Sequence, residues 1–183
     1  TICLVGSEMC IRDRNIIGKH NYMNAVTAIA ACRELKVPIN TQIKALSSFK
    51  GVSKRTDLVC EIDGIKVFDD FAHHPTAIKA SINSIKETFA KKRLLTVFVP
   101  GSNSMKLGVH NDQLVPSLKK SDRVLVLTKF KPLKRLMGNN IKINVIETEA
   151  QIREYLDKEN NFDIVLVLSN RNTENILRYI KNG

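Results

Sequence analysis

The chain has 183 residues, of which 43% are hydrophobic and 26% charged, a composition typical of a globular protein rather than a disordered one. No apolar run approaches the roughly 18 residues that a membrane helix needs, and Cys is too rare for a disulfide scaffold. The net charge is +11, and it is uneven: positions 15–146 carry 22 basic and 9 acidic side chains, whereas positions 147–183 carry 5 basic and 7 acidic ones. This charge favours an anionic partner such as a nucleotide, a phosphorylated metabolite or nucleic acid, and a solvated Lys-rich surface is the alternative.

The first fourteen residues, TICLVGSEMCIRDR, fit poorly with the rest of the sequence. They lack the basic start of a signal peptide, and SEMCIRDR resembles a translated sequencing adapter. We therefore expect residues 1–14 to be non-native and the remainder to be a fragment of a longer protein; a strand of a preceding domain is the alternative. Without this segment only Cys32 and Cys60 remain, which is consistent with a reducing, cytoplasmic location.

Two helices are predicted at the beginning of the remaining sequence. Apolar positions recur at intervals of three and four over residues 21–35, and Pro38 follows the end of this pattern. Asn40 is placed to cap a second, short helix over residues 41–49. A domain boundary is expected at 51–55, where the helical segment gives way to alternating strands and helices.

Strands are predicted over residues 57–63 and 65–70, and the Asp-Gly pair between them is a strong hairpin signal. Pro75 suits the first position of the next helix, and Thr148 and Gln151 suit a capping box. Further helices are predicted over 76–89, 111–118, 148–158 and 172–181, and further strands over 94–99, 123–128, 144–147 and 164–168. This alternation predicts an α/β fold with a Rossmann-like, mainly parallel sheet that is covered by helices on both faces.

Ligands of open α/β sheets bind at the carboxyl ends of the strands. The strand over 65–70 ends in Asp69 and Asp70, and His73 and His74 follow before the helix. Asp70 would suit ribose hydroxyls and His73 a nucleotide phosphate or base, because a helix N-terminus favours an anion. Turn and capping chemistry is the alternative for the two carboxylates. A metal site is disfavoured, since adjacent His side chains diverge and no third ligand is spaced nearby.

Two other strand ends are polar. The loop over residues 99–110 contains glycines, small polar residues and Lys106, which could hold a phosphate or carboxylate. The spacing of a P-loop is absent. Ser169 and Asn170 end the last strand and could bind a carboxylate or merely cap the next helix. From the residues alone, the prediction is an α/β domain with a nucleotide- or anion-facing edge.

Four stretches of this sequence resemble segments of the Mur ligases. They are GKHNYMNAVTAIAA (18–31), FKGVSKRTD (49–57), DDFAHHPTAI (69–78) and SNSMKLGV (102–109). The last two are most similar to the branch of the family that uses a whole murein tripeptide. The resemblance implies that residues 15–51 are a short helical remnant of the central ATP-binding domain and that residues 52–183 are the C-terminal domain.

The resemblance implies an ATP-dependent amide ligase of peptidoglycan recycling. Such an enzyme joins UDP-N-acetylmuramate to L-Ala-γ-D-Glu-meso-diaminopimelate through an acyl phosphate, and it uses ATP and Mg²⁺. Stabilisation of the developing negative charge by Mg²⁺ and basic groups is general to phosphoryl transfer. The Mg²⁺ ligands are expected mainly in the central domain. Because the P-loop is absent from this sequence, the polypeptide alone is expected not to catalyse ligation. The expected state is a monomer that binds neither nucleic acid nor a membrane.

The resemblance also implies roles for individual residues, although none is assigned as catalytic. The nucleotide would be bound by side chains near the adenine (His20, Asn21, Asn24), near the ATP phosphates (Arg55) and near the ribose (Asp70, His73). The peptide or the acyl phosphate would be faced by Ser102, Asn103 and Lys106, and the peptide carboxylate by Ser169.

This sequence departs from the related ligases in two places. They have Pro-Arg-Ser-Asn-Thr-Met-Lys where this chain has Gly101 after Pro100, and glycine cannot replace a guanidinium. They have Ser-Asn-Gly-Gly-Phe-Gly-Gly where residues 169–175 are Ser-Asn-Arg-Asn-Thr-Glu-Asn, which removes sites of close backbone approach. A degenerate, inactive paralogue and another Mur ligase, such as the UDP-muramate:L-alanine ligase, are therefore alternatives. So is a free-standing basic α/β module that binds nucleotides or nucleic acid.

Overall fold

The computed structural model describes residues 17–101, 111–138, 140, 142–159 and 161–181. The adapter-like segment and most of the loop that follows the strand over 94–99 lie outside these ranges. The chain divides into two compact units, with the boundary between Val52 and Ser53. Within the described ranges, no helix combines the length and the apolar character that crossing a membrane would take.

The first unit contains helices α1 (Lys19–Glu34) and α2 (Ile39–Ser48), which contact each other. The prediction that Asn40 caps α2 is wrong, because the helix begins one residue before it and Pro38 is the N-cap. The carbonyl oxygen of Pro38 accepts hydrogen bonds from the N–H groups of Thr41 and Gln42. The fixed φ of proline suits this position.

The second unit begins with strands β1 (Asp57–Ile62) and β2 (Ile65–Asp70), which pair antiparallel and confirm the predicted hairpin. Both turn residues have positive φ, 51° at Asp63 and 80° at Gly64, as a type I′ turn requires. No atom lies within 4 Å of a Cβ built on Gly64. Glycine is therefore favoured at this position by its backbone conformation and not by lack of space.

The rest of the second unit alternates helices and strands, which confirms the predicted fold class. In chain order they are α3 (Pro75–Thr88), β3 (Leu94–Val99), α4 (Asn111–Ser117), β4 (Arg123–Leu127), α5 (Lys131–Met137), β5 (Ile143–Ile146), α6 (Ala150–Lys158), β6 (Ile164–Ser169) and α7 (Glu174–Lys181). The strand order is β1-β2-β6-β3-β4-β5, and all neighbours except β1 and β2 are parallel.

Apolar side chains on both faces of the sheet form the core. Every residue of β3 and β6 is buried, as expected for strands that are covered on both sides. One face packs against α6 and α7 through Val67, Leu95, Val97, Leu125, Val165, Val167, Ile152, Leu156, Ile176 and Ile180. Successive strand residues point to opposite faces, so Phe68 and Phe98 lie on the other one. There α3 also contributes Ile78, Ile82 and Ile85 to the core.

Helix α6 begins later than the capping box predicts. Its N-cap is Glu149, which makes no side-chain capping bond, so the prediction of Thr148 as the cap is wrong. The predicted partner does reach back, since Gln151 Oε1 accepts hydrogen bonds from the N–H groups of Glu147 (2.8 Å) and Thr148 (3.0 Å). One half of the box therefore forms.

Helix α5 is absent from the sequence prediction. It has seven residues, of which only Leu133 and Met137 are buried, so it is too short to show a helical period. Helix α7 was predicted from residue 172 but begins at Glu174, whose N–H donates to Asn172 Oδ1 at 2.9 Å. Asn172 therefore precedes the helix, and its side chain satisfies the N–H of the first helical residue.

Candidate nucleotide- and anion-binding edge of the sheet

Asp70, the last residue of β2, is at the centre of a buried hydrogen-bond network. Its Oδ2 accepts hydrogen bonds from Thr56 N (2.8 Å), Thr56 Oγ1 (2.8 Å) and Ser81 Oγ (3.0 Å). Its Oδ1 accepts one from Ala72 N at 2.8 Å. With 6% exposure, this carboxylate ties together the segment before β1, the loop after β2 and helix α3.

Residues 54–56, which we call the strap, are held by this network in a strained conformation. Lys54 has φ of 60° and the β-branched Thr56 φ of 50°, and a non-glycine residue in this region costs about 1–3 kcal/mol. Besides the two bonds from Thr56 to Asp70, the N–H of Phe71 donates to the carbonyl oxygen of Lys54 at 2.7 Å. The exposed Arg55 is thus presented between two anchored neighbours.

This geometry gives Asp70 a clear positioning role. The prediction that it binds ribose is not tested and stays a prediction. Oδ2 already accepts from three donors, and a carboxylate oxygen has only two lone pairs. A ribose hydroxyl could therefore bind only at the remaining lone pair of Oδ1.

Asp69, one residue earlier in β2, is also buried but is poorly satisfied. Its Oδ2 accepts a hydrogen bond from Thr173 Oγ1 at 2.8 Å, and no donor among the described residues reaches its Oδ1. Burial raises the pKa of Asp69 above its ordinary value, and the Thr173 hydroxyl and the charge of Lys54 only partly oppose this effect. The nearby carboxylates of Asp70 and Asp57 raise the pKa further. Negative charge is therefore costly at this position.

The loop between β2 and α3 carries an aromatic pair. The Phe71 ring is 48% exposed and makes a T-shaped contact with the His73 ring, with centroids 5.4 Å apart. His73 Nδ1 lies 3.1 Å from the carbonyl oxygen of Phe71. His74 is the N-cap of α3. Pro75 is the first residue of this helix, as predicted. The exposed Phe71 ring lies on a loop that is hydrogen-bonded to Lys54, the neighbour of Arg55, and offers a planar base an apolar contact surface.

The other three residues predicted to bind the nucleotide belong to the first unit. His20 and Asn24 are one helical turn apart on α1, so they share a face of that helix. The Nδ2 of Asn21 donates to the carbonyl oxygen of Ile17 at 2.8 Å. Arg55, Asp70 and His73 all belong to the second unit.

Of the residues predicted to face the substrate, Ser102, Asn103 and Lys106 lie outside the described residues. Ser169 is fully buried at the end of β6, and its Oγ accepts a hydrogen bond from Arg171 N at 3.0 Å. The hydroxyl therefore shapes the turn after β6, and contact between Ser169 and a substrate stays a prediction.

A cavity of about 830 Å³ opens at the carboxyl ends of β3, β4 and β5 and is bordered by the loop after β6. Its volume lies within the range of small-molecule sites, about 300–1,000 Å³. Its charged lining side chains are Lys129, Glu147, Glu149 and Arg171. Glu147 is paired with Lys134, and this contact, together with the charge of Lys129, lowers the pKa of Glu147.

Sequence reasoning missed the strap, Phe71 and this cavity. Phe71 could have been found, because it is a large aromatic residue between an acidic pair and a His at a strand end. The other two depend on which strand ends are neighbours. In the ranges that the structure describes, no three His, Cys, Asp or Glu side chains are grouped as a metal site requires.

Residues 54–171, more than half of the chain, match the family described as "Mur ligase, glutamate ligase domain". The chain belongs to the Mur ligase family. The family that the sequence resemblance predicted is thereby confirmed.

Three relatives show how much of a Mur ligase is present. The UDP-N-acetylmuramate–L-alanyl-γ-D-glutamyl-meso-2,6-diaminoheptandioate ligase of Haemophilus influenzae is 42% identical over 114 residues, which are 62% of this chain and 25% of that protein. The UDP-N-acetylmuramate–L-alanine ligase of Ruthia magnifica is 32% identical over 174 residues, 84% of this chain and 37% of that one. The crystal structure of a murein peptide ligase from Psychrobacter arcticus matches with a TM-score of 0.66 at 33% identity, covering 91% of this chain and 38% of its own. This Mur ligase chain thus spans well under half the length of its relatives.

Proposed function

We propose that this chain is the C-terminal part of an ATP-dependent amide ligase that joins UDP-N-acetylmuramate to the tripeptide L-Ala-γ-D-Glu-meso-diaminopimelate. The family match supports a ligase of the Mur family, and the name of the Haemophilus influenzae relative supports this substrate pair. The L-alanine ligases among the relatives make L-alanine the alternative amino substrate. The strap is the observation in the structure that carries the proposal, because it anchors both neighbours of the exposed Arg55 and is hydrogen-bonded to the loop that carries Phe71 and His73.

We propose the following roles for the residues on the basis of the family resemblance. Arg55 would bind the phosphates of ATP, since a planar guanidinium pairs well with phosphoryl oxygens. Phe71 and His73 would contact the nucleoside, and Asp70 would act as a positioning residue that holds the strap. ATP would supply the phosphoryl group that activates the muramate carboxylate. The adenine would be contacted by three residues of the central-domain remnant: His20, Asn21 and Asn24. We propose that this remnant ends near residue 51.

Mg²⁺ is commonly held by one or two carboxylates together with waters and the phosphates of the substrate. In the ranges that the structure describes, no group of three or more His, Cys, Asp or Glu side chains is found. We propose that the Mg²⁺ ligands of the intact ligase lie mainly in its central domain. The cavity bordered by Lys129 and Arg171 is the place that we assign to the peptide, because its size suits a small molecule and its lining carries two cations and two carboxylates, which can pair with the carboxylates and amino groups of a peptide.

A chimera tests the proposal. The C-terminal part of the Haemophilus influenzae relative is replaced by residues 53–183 of this chain, and amide formation is measured with UDP-N-acetylmuramate and either the tripeptide or L-alanine. We expect ligation with the tripeptide. Arg55→Ala should raise the KM for ATP about tenfold or more, and Arg135→Ala, which changes an exposed Arg on α5, should leave it unchanged. A folded chimera that forms neither product would refute the proposal.

The 183-residue polypeptide alone should not catalyse ligation, because its sequence has no P-loop spacing. The measurement is phosphate release in the presence of ATP, UDP-N-acetylmuramate and tripeptide. Release that is coupled to product formation would contradict this expectation.

A further inference from the structure

The loops after β3 and β6 touch at Gly101 and Arg171. A Cβ on Gly101 would lie 2.7 Å from Cγ and 2.7 Å from Nε of Arg171, and 2.3 Å from Oδ1 of Asn170. Gly101 is not among the glycines with positive φ, so its backbone conformation does not require glycine. A side chain at position 101 would instead have to displace the side chains of Arg171 and Asn170, because its Cβ would lie less than 3.0 Å from both.

The backbone of Arg171 is held on both sides, whereas its side chain is exposed. Its N–H donates to Ser169 Oγ at 3.0 Å, and its carbonyl oxygen accepts a hydrogen bond from Lys54 Nζ at 3.2 Å. Ser169 is itself completely buried at the end of β6. None of the ion pairs found among the described residues involves Arg171. The guanidinium is thus presented from a fixed backbone, and no ion pair among the described residues takes it up.

The surroundings of this guanidinium are those of a binding site. Arg171 lines the cavity of about 830 Å³ together with Lys129. Two carboxylates line the same cavity, namely Glu147, which is paired with Lys134, and Glu149. A guanidinium binds carboxylate and phosphoryl oxygens through two parallel hydrogen bonds.

We propose that Arg171 binds a carboxylate or phosphoryl group of the ligand in this cavity and that Gly101 is required to leave room for it. The nature of the ligand rests on the ligase function proposed above. The same two positions are those where the sequence departs from the related ligases, which have Arg at the first and Gly at the second. The guanidinium that is missing at position 101 is therefore supplied by Arg171 from the opposite loop. The Gly101–Arg171 exchange makes a degenerate site unnecessary to explain the two departures.

The test measures binding to the 183-residue chain by calorimetric titration. Two probes are used, inorganic phosphate and the tripeptide L-Ala-γ-D-Glu-meso-diaminopimelate. Arg171→Ala should weaken binding of at least one probe about tenfold or more. An effect on phosphate alone assigns a phosphoryl group to Arg171, and an effect on the tripeptide alone assigns a carboxylate. Arg135→Ala is the matched control and should bind both probes like the unaltered chain.

Reciprocal variants test the role of Gly101. Gly101→Ala and Gly101→Arg should each weaken binding by displacing Arg171, and Gly101→Ala covers the case that the larger side chain prevents folding. In the double variant Gly101→Arg/Arg171→Gly the guanidinium returns from the other loop, and affinity should recover to within about threefold. Asn170 would have to rotate, and its Oδ1 has no hydrogen-bond partner among the described residues to lose.

Three results would overturn this proposal: an unaltered chain that binds neither probe, an Arg171→Ala variant that titrates like it, or Gly101 variants without effect. Its failure is distinguishable from failure of the ligase function. If the chimera with Arg171→Ala ligates at the unaltered rate and KM for the tripeptide, the ligase function stands and the role of Arg171 does not.

Discussion

Replacing Asp70 by Asn should release the strap and destabilise the second unit. The amide keeps the shape of the carboxylate but removes its charge and turns one acceptor into a donor. If the amide oxygen stays with Thr56 and Ser81, its NH₂ group faces the N–H of Ala72, so one hydrogen bond becomes a donor–donor contact. Hydrogen bonds to a charged group contribute about 1.5–3 kcal/mol each. Losing one and weakening three should lower the free energy of unfolding by about 3–5 kcal/mol.

Two measurements check this prediction. Urea unfolding gives the change in the free energy of unfolding. Trypsin cleavage after Lys54 and Arg55 reports the strap itself, and we expect it to be about tenfold faster or more, because local opening is then less costly. Asp63→Asn is the control, since Asn tolerates the positive φ of this turn residue. A loss below about 1 kcal/mol, or an unchanged cleavage rate, would show that Asp70 does not hold the strap.

Three further predictions follow from the second unit and from the charge. The pKa of Asp69 is higher in the folded state than its ordinary value of 3.8. Its ionisation therefore destabilises the fold as the pH rises from the ordinary pKa through the raised one. Relative to Asp69→Asn, the unaltered chain should therefore lose stability between low and neutral pH in urea unfolding, and a pH-independent difference would contradict this cause. Gly64→Ala should cost about 1–2 kcal/mol in the same assay because of its positive φ, whereas Gly64→Asn should cost clearly less. Finally, the chain should bind neither single- nor double-stranded DNA in fluorescence anisotropy at physiological salt, and strong binding that weakens steeply with salt would favour the nucleic-acid alternative.

Local signals explain what the sequence predicted correctly. The hairpin was visible because an Asp-Gly pair separates two β-rich runs, and β3 and β6 were visible as continuous apolar runs between turn residues. Helix α5 was missed because two buried residues do not define a period. The predicted helix caps at Asn40 and Thr148 were wrong. Pro38 is the N-cap of α2, and near α6 the side chain of Gln151 accepts a hydrogen bond from the N–H of Thr148.

The contacts of the candidate site needed the topology. Thr173 and Asp69 are hydrogen-bonded across 104 positions of the chain, and Lys54 reaches Arg171 across 117. No pattern in the sequence states that β6 lies between β2 and β3, so these pairs could not be predicted. Gly101 is the clearest example of a residue whose role depends on the topology. In the sequence it is only the absence of a side chain, whereas in the fold it lies against the side chain of Arg171, which a Cβ at this position would displace.

The position of β6 also governs the order in which the unit is assembled during synthesis. β6 pairs with β2 on one side and with β3 on the other, although it is translated after all the other strands described. Until it emerges from the ribosome, the hairpin and the β3-β4-β5 sheet are two separate pieces with exposed edges. Such non-local pairing slows folding, and exposed strand edges attract other chains. A nascent chain that stops before residue 164 should therefore depend on chaperones far more than the full unit does.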